Sequence, residues 1–458
     1  MKSIFSIRSL FTLTVFCISL CSCKKEEDWL AKKPNKALVV PVNFTDFQSL
    51  LNNEDIFNVT DGSLGFMAVE DYYVTYPVWQ ARATATERNS YTWEQNIYEG
   101  ESVIDWNNPY QQTYYCNTIL EGLDKMPVES KAATDWKQLQ GSALFFRAYA
   151  FFKLAFTFAA PYDKNTALTD AGIPLRLDAD PNNLQPRASV QQTYDRIITD
   201  LKQAEELLPV TVSIKSKPSK AAARALLARI YLSMEDYDNA LLYAESSLLL
   251  NNTLLDYNSL NAAAPFAFAL FNAEDIFHTR QIAYGIFNIT RAFVDTTLYR
   301  SYQTNDLRRT LYFSGSGSTI AFKGSYEGSA AYYSGPATDE LYLTRAECNA
   351  RKGNTITALN DLNVLLQKRW KTGTFIPFTA ATSADALAII FTERRKELVF
   401  RGTRWLDLRR LNKDTRFAVS LTRVLNGKTY TLPPNSQLYV LPIPDNEIRL
   451  SGIQQNPR

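Results

Sequence analysis

The segment 143–160 constrains the fold more than any other part of the chain. Its sequence is ALFFRAYAFFKLAFTFAA, in which only Arg147 and Lys153 are charged and apolar side chains cover every face of a helix. A helix that is apolar on all sides must be surrounded either by protein or by lipid. Because charged side chains are rare in membrane-spanning helices, the two charges favour a helix buried in the centre of a large protein.

Two further segments, 219–250 and 339–367, have the pattern of paired helices. In each segment, small and apolar residues recur at helical spacing on both sides of a short turn. The turn lies at 234–238 in the first pair and at Gly353-Asn354 in the second. The second helix of each pair has the alanine spacing of tetratricopeptide-like hairpins. These patterns predict a mainly α fold, and their degeneracy argues against a regular solenoid.

Three segments of different composition connect the helical parts. They are rich in Tyr, Ser, Asn, Gly and Thr, and they lie at 62–100, 251–333 and 430–458. Long loops of this kind inside compact domains commonly carry function. Strand content is predicted to be small, and residues 438–441 are one short candidate strand.

The N-terminus resembles a bacterial lipoprotein signal. Lys2 and Arg8 precede an apolar run at 10–20, which is about half of the roughly 20 residues that a membrane-spanning helix requires. A short apolar run behind a basic start is typical of a secretory signal peptide. The run ends in the sequence LCSC at 20–23, which resembles the bacterial lipobox with Cys23 as the lipidated residue.

We expect residues 1–22 to be removed as a signal peptide and Cys23 to carry the lipid that holds the mature chain at the cell outer membrane. The run KKEED at 24–28 resembles the signal that sends Bacteroidetes lipoproteins to the cell surface. Removal of Lys2 and Arg8 takes the formal net charge from +2 to zero. A neutral chain lacks the positive charge that nucleic-acid binding requires, so no nucleic acid is expected as a partner.

Residues suited to catalysis or metal binding are scarce. His278 is the only histidine, so a zinc site with several histidine ligands is excluded and a catalytic triad would have to use this residue. Its apolar context favours a hydrogen-bonded structural histidine. Asp178 and Asp180 are more typical of a turn than of a glycosidase carboxylate pair. Cys116 and Cys348 are expected to be buried free thiols, with a disulfide in an oxidising compartment as the alternative. We therefore expect a binding protein, with no enzymatic activity, cofactor or metal.

One aromatic-rich stretch near residues 70–94 has the residue types that bind sugars. A flat aromatic ring packs against the apolar face of a pyranose, while Asn, Asp and Arg side chains bind its hydroxyl groups. The alternative is that these rings fill the outer core, since Tyr and Trp are intermediate in burial. In that case we expect the site in the loops that carry Tyr299, Tyr302, Tyr326, Tyr332 and Tyr333. The candidate ligand-binding residues are Tyr73, Tyr76, Trp79, Arg82, Trp93, Asn96 and Tyr326, with Asp71 as a further polar group.

The segment 392–410 reads TERRKELVFRGTRWLDLRR and resembles the long and specific signature of the SusD/RagB family. Arg401 stands where that family often has an acidic residue. Glu397 and Arg401 are predicted to pair at i,i+4 spacing, and Gly402 is predicted to allow a bend. Shorter resemblances to the same family are found at 28–34, 145–149, 161–162, 172–175, 187–190 and 439–457.

The resemblance implies a mainly α, SusD-like fold in which tetratricopeptide-like helical hairpins pack against an irregular, loop-rich ligand-binding half. It also implies an N-terminal region at 23–250 and a C-terminal region at 251–458 that pack as one unit. Family members bind oligosaccharides, or in some cases peptides, as non-catalytic lids on SusC-like TonB-dependent outer-membrane transporters. We therefore expect an oligosaccharide ligand and such a transporter as partner, with a peptide ligand as the alternative. Because ligand contacts vary among members, the resemblance assigns no site residue.

Overall fold

The computed structural model describes residues 41–458, so the predicted signal peptide and Cys23 lie outside the described residues. The described chain is mainly α-helical, which confirms the predicted fold class. In chain order, the helices α1 to α17 are Phe44–Leu51, Glu54–Phe57, Leu64–Ala68, Tyr76–Gln80, Ala85–Tyr91, Ile104–Asp124, Thr134–Phe158, Val190–Leu207, Lys220–Ser233, Tyr237–Leu248, Thr296–Ser301, Arg308–Leu311, Thr338–Arg351, Thr355–Gln367, Ser383–Glu397, Arg404–Leu411 and Asp445–Ser451. Short 3₁₀ helices are Val128–Ala132, Tyr257–Ser259, Gly285–Phe287 and Gln437–Tyr439.

Helix α7 contains the apolar segment and lies at the centre of the first half of the chain. It packs between α6 and α8 and also contacts α1 and α9. The two charged side chains of the apolar segment are buried and paired, Arg147 with Asp200 at 2.8 Å and Lys153 with Asp61 at 2.7 Å. Pairing removes most of the cost of burying a charge, so the helix is enclosed by protein as predicted. None of the described helices combines the length and apolarity that a bilayer crossing requires.

Two helical hairpins, α9–α10 and α13–α14, form at the predicted positions. The Ser219 hydroxyl accepts a hydrogen bond from the backbone N–H of Ala222 and caps the start of α9. Gly353 follows α13 with a φ of +84°, the left-handed conformation that glycine adopts most easily at the end of a helix. Helix α10 packs against α13, and α13 packs against α15. The hairpins of both halves therefore belong to one helical layer.

Strand content in the described part of the chain is small, as predicted, and consists of four two-stranded antiparallel pairs. The Leu421–Leu425 and Lys428–Leu432 pair is a hairpin that the sequence analysis missed, although its Asn-Gly turn with positive φ at both residues is a strong hairpin signal. The strands β1 to β8 are Tyr72–Tyr73, Ala171–Pro174, Arg187–Ser189, Phe293–Val294, Phe313–Ser314, Ala321–Phe322, Leu421–Leu425 and Lys428–Leu432, paired as β1–β4, β2–β3, β5–β6 and β7–β8.

The predicted strand at 438–441 is wrong, because residues Gln437–Tyr439 form a 3₁₀ helix. The Ser436 hydroxyl accepts a hydrogen bond from the Leu438 backbone N–H and starts this turn. Pro442 follows directly and has no backbone N–H to contribute to a ladder. The local capping and the proline together outweigh the strand propensity of the apolar run.

The predicted ion pair between Glu397 and Arg401 is also wrong. Helix α15 ends at Glu397 and Phe400 has a φ of +58°, so the two side chains do not have helical i,i+4 spacing. Glu397 instead pairs with Arg308 and Arg369, and Arg401 pairs with Asp339 at 2.6 Å. The predicted bend at Gly402 is present, with a φ of +74°.

Candidate functional site

An antiparallel pairing between distant parts of the chain builds the candidate site. Strand β1 pairs with β4, which places Tyr72 opposite Val294 and Tyr73 opposite Phe293. The Val294 backbone N–H donates to the Ile320 carbonyl, which adds the β5–β6 hairpin to the same surface. The segment that starts at Tyr73 is thereby placed beside residues 285–294 and the hairpin loop.

Four half-buried aromatic residues, Tyr73, Tyr76, Trp79 and Phe293, form what we call the aromatic surface. Tyr76 and Trp79 lie three residues apart on α4, so their rings share one side of the helix. These rings stack with centroids 5.8 Å apart and planes inclined by 28°. The rings of Tyr73 and Phe293 lie 5.7 Å apart across the β1–β4 pair.

Hydrogen bonds hold the tryptophan and its nearest arginines in place. The Trp79 indole N–H donates to the Arg88 carbonyl at 3.0 Å, which fixes the ring orientation. Arg82 Nε donates to the Val78 carbonyl at 3.0 Å, and Arg291 Nη1 donates to the Gly285 carbonyl at 3.1 Å. The arginine side chains are half-buried and keep further N–H groups that are free to bind a ligand.

Of the predicted residues, Tyr76 and Trp79 stack on α4, Arg82 bonds to the same helix, and Tyr73, just before it in the chain, packs on Phe293. The sequence analysis missed Phe293 and Arg291, which come from the loop-rich stretch 251–333. The composition of that stretch already indicated a functional loop. Which of its residues reach the aromatic surface depends on the β1–β4 pairing, and no local pattern reveals a pairing of two-residue strands.

Trp93 does not present a ring to solvent, which corrects its assignment as a ligand-binding residue. The side chain is only 6% exposed, and its indole N–H donates to the Ala68 carbonyl at 2.9 Å. The guanidinium of Arg423 lies over the ring at 4.9 Å from its centroid. A φ of +57° at Trp93 turns the chain after α5 and directs the side chain inward. The alternative prediction, that some of these rings fill the core, therefore applies to Trp93.

Tyr326 is also buried and is corrected in the same way. Its side chain is fully buried, and its hydroxyl contacts Glu274 at 2.7 Å and Asp339 at 3.0 Å. Burial raises the pKa of Tyr326 well above its usual value. The other late-loop tyrosines Tyr302, Tyr332 and Tyr333 are buried too, and Tyr299 is half-buried.

The two remaining polar candidates differ from each other. Asp71 is buried and pairs with Arg395 at 2.9 Å, so it is unavailable to a ligand. Asn96 is exposed, and its backbone carbonyl accepts a hydrogen bond from Asn89 at 3.1 Å. Its neighbour Gln95 donates to the carbonyl of Arg458 at the end of the chain. No hydrogen bond of the described residues joins Asn96 to the aromatic surface.

A buried group of carboxylates offers one arrangement that could hold a metal ion. Oxygens of Glu274, Asp339 and Glu397 lie within 4.8 Å of one another. Arg369 donates to Glu274 and Glu397, and Arg401 donates to Asp339. The two guanidinium groups already supply the positive charge that a cation would bring, so the donor set does not fit a metal site. Burial raises the pKa of Glu274 to about 7, and Arg369 opposes this effect.

His278 has the hydrogen-bonded structural environment that the sequence predicts. Its Nδ1 contacts Asp275 and its Nε2 contacts Glu327, both at 2.7 Å. Both ring nitrogens are therefore occupied, and neither is available as the free base that a hydrolytic triad requires. Asp178 and Asp180 each accept a backbone N–H two residues further along the chain, as expected of turn formers. The two cysteines among residues 41–458, Cys116 and Cys348, are buried free thiols.

The helical layer and the loop-built aromatic surface define a class of protein in which helical hairpins support a face made of connecting loops. Two family models match this chain. One, described as starch-binding and associating with the outer membrane, matches residues 28–232, and the other, described as the SusD family, matches residues 338–458. The chain belongs to the SusD/RagB family.

Several relatives have similar sequences or structures. SusD-like protein P2 of Formosa agariphila is 26% identical over 383 residues, which cover 69% of this chain and 72% of that protein. A SusD superfamily protein from Bacteroides thetaiotaomicron has a TM-score of 0.75 at 20% identity, with 91% of this chain and 100% of that chain covered. Surface glycan-binding protein A from Bacteroides uniformis has a TM-score of 0.68 at 17% identity, with 90% and 99% covered. At these identities the structural likeness shows the fold.

Proposed function

We propose that this chain is a non-catalytic protein that binds an oligosaccharide on the aromatic surface and passes it to a SusC-type TonB-dependent transporter. The observation that carries the proposal is the stacked pair of Tyr76 and Trp79, whose rings are half-buried. Each ring packs partly against the core and keeps part of its area available to a ligand. A sugar ring that stacks on such a pair buries its apolar face, while Arg82 can donate to its hydroxyl groups.

The geometry reduces the free-energy cost of binding. Helix α4 has Pro77 in its first turn, and the Trp79 indole is held by its bond to the Arg88 carbonyl. Little side-chain freedom is therefore lost when a ligand binds. The descriptions of related proteins agree with this ligand class: the family model refers to starch binding, and one solved structure is named a surface glycan-binding protein.

The change Trp79→Ala tests the binding site. After a glycan array has identified a ligand for the wild-type protein, calorimetry is expected to show about tenfold weaker binding by the variant, because one stacking contact of about 1 kcal/mol or more is lost. Tyr114→Ala is the matched control, since Tyr114 lies on α6 and is 46% exposed. Equal affinities for wild-type and Trp79→Ala protein would place the ligand elsewhere.

We further propose that lipid on Cys23 anchors the mature chain and keeps it beside its transporter. Wild-type protein, extracted from outer membranes in mild detergent, is expected to co-purify with a TonB-dependent barrel. Cys23→Ala protein is expected in the soluble fraction without the barrel, while Cys21→Ala, a change in the same LCSC sequence, is expected to behave as wild type. Repeated purification of wild-type protein without any barrel would contradict the transporter role, and membrane retention of Cys23→Ala would contradict the anchor.

A further inference from the structure

We propose that the oligosaccharide is acidic and carries carboxylate or sulfate groups that bind beside the aromatic surface. This inference rests on the proposed function and names the ligand class for the same site. Arg82, Arg88 and Arg291 form what we call the arginine group, which lies directly beside the aromatic surface. Trp79 and Arg82 belong to one short segment, and the Trp79 indole donates to the Arg88 carbonyl.

Two members of the arginine group converge on one point. A Cβ atom added to Gly285 would lie 2.9 Å from Arg82 Nη1, 3.4 Å from Arg291 Nη1 and 3.2 Å from Glu87 Oε1, the oxygen that accepts the Ile286 backbone N–H. Arg88 Nη1 donates to the Arg82 carbonyl, which ties the third guanidinium to the same segment. The 3₁₀ helix Gly285–Phe287 therefore brings together cationic groups from residues that are far apart in the sequence.

The arginine group is not neutralised by direct ion pairs. Among residues 41–458, no carboxylate oxygen lies within 4.0 Å of a guanidinium nitrogen of Arg82, Arg88 or Arg291. Some buried arginines elsewhere in the described chain have such partners, for example Arg147 with Asp200 and Arg229 with Glu340, whereas the buried Arg409 and Arg423 donate to backbone carbonyls. The three guanidinium groups donate to backbone carbonyls, and the three residues are half-buried.

Two acidic residues, Glu87 and Glu101, lie near the arginine group. Glu87 accepts hydrogen bonds from the Ile286 backbone N–H and the Thr84 hydroxyl. Glu101 accepts from the backbone N–H groups of Ala85 and Thr86 at the start of α5. Both carboxylates are therefore used in building the local structure. The three positive charges outnumber these two negative ones, and the remaining N–H groups suit a carboxylate or sulfate ester.

The test uses a panel of acidic oligosaccharides and their neutral counterparts. The panel contains oligouronates with their carboxyl-reduced forms, and sulfated oligosaccharides with their desulfated forms. We expect an acidic member to bind wild-type protein at least about tenfold more tightly than its neutral form, which corresponds to one charge-assisted hydrogen bond. Raising the salt concentration from about 0.05 M to about 0.5 M should weaken binding of the acidic ligand only, because salt screens exposed charges. The two halves of the panel distinguish carboxylate from sulfate.

Substitutions test whether the preference for acidic ligands depends on the arginine group. Arg291→Gln is expected to weaken binding of the acidic ligand about tenfold and binding of its neutral form by less than about twofold. Lys202→Gln, which removes an exposed charge on α8, is the control for net charge. Equal or tighter binding of neutral forms, with no effect of Arg291→Gln, would overturn the acidic ligand class and leave the proposed function intact. Failure of every acidic and neutral sugar to bind would contradict both.

Discussion

At the residue scale, His278 shows how a buried group makes stability depend on pH. The side chain is 7% exposed and lies between the carboxylates of Asp275 and Glu327. Burial disfavours the charged imidazolium, but the hydrogen bonds to the two carboxylates outweigh burial and raise the pKa of His278 to about 9. Arg280 also donates to Glu327, and Lys215 donates to the Asp275 backbone carbonyl. The charged histidine thus joins two loops of the C-terminal half.

A raised pKa in the folded state stabilises the protein at low pH. The contribution of His278 should be complete below its unfolded pKa of about 6.5 and lost as the pH rises through about 9. Compared with His278→Gln, wild-type protein is therefore expected to have an advantage in unfolding free energy that is roughly 2–3 kcal/mol larger at pH 6 than at pH 10. Denaturant unfolding of both proteins across this pH range is the measurement. A difference that does not change with pH would show that His278 is neutral in the folded state.

At the element scale, the signature helix α16 packs closely against α3. Trp405 of α16 is almost fully buried, and its ring stacks on Tyr439 at 4.7 Å. Gly65 of α3 packs directly against the Trp405 ring. A Cβ atom added to Gly65 would lie only 2.7 Å from Trp405 Cδ1. The absence of a side chain at Gly65 therefore allows the two helices to approach.

The change Gly65→Ala is expected to destabilise the fold by about 1–3 kcal/mol, because the buried Trp405 ring cannot move away from the added methyl group. Thermal unfolding measures the effect. Gly353→Ala is the matched control for an added methyl group, since nothing lies within 4 Å of its Cβ and only its φ of +84° opposes the change. In a Trp405→Leu background the cost of Gly65→Ala should fall. An unchanged cost there would show that contact with Trp405 is not the cause.

At the scale of the whole molecule, one buried and one half-buried ion pair join residues 41–250 to residues 251–458. Arg229 pairs with Glu340 at 2.6 Å, and Glu70 pairs with Arg404 at 2.5 Å. Burial of Glu70 favours its neutral form, but Arg404 and Arg395 outweigh burial and lower the pKa of Glu70 to about 2. We propose from these contacts that the two segments fold as one unit.

Separate expression of residues 41–250 and 251–458 tests this proposal. Each fragment is expected to lack a cooperative thermal transition, because every broken buried ion pair costs about 3–5 kcal/mol against a total stability of about 5–15 kcal/mol. Mixing or co-expression of the fragments should restore the transition and the near-ultraviolet circular dichroism of the intact chain. Cooperative unfolding of either fragment alone would show two independent domains.

The sequence by itself determined the helical part of this protein. The apolar segment at 143–160, the hairpins at 219–250 and 339–367 and the turn at Gly353 depend on contacts between residues a few positions apart. The helical periodicity of the apolar residues and the helix-capping residues encode such contacts. The 392–410 signature likewise identified the family without any tertiary information.

Only the tertiary structure decided which side chains form the candidate site. Trp79 and Trp93 have similar sequence surroundings, yet one ring lies at the surface and the other lies beneath Arg423, a residue of the distant strand β7. Phe293 and Arg291 reach the aromatic surface through the β1–β4 pairing. The ion-pair partners of Glu397 also come from distant segments. These outcomes depend on packing between segments far apart in the chain, which local periodicity does not encode.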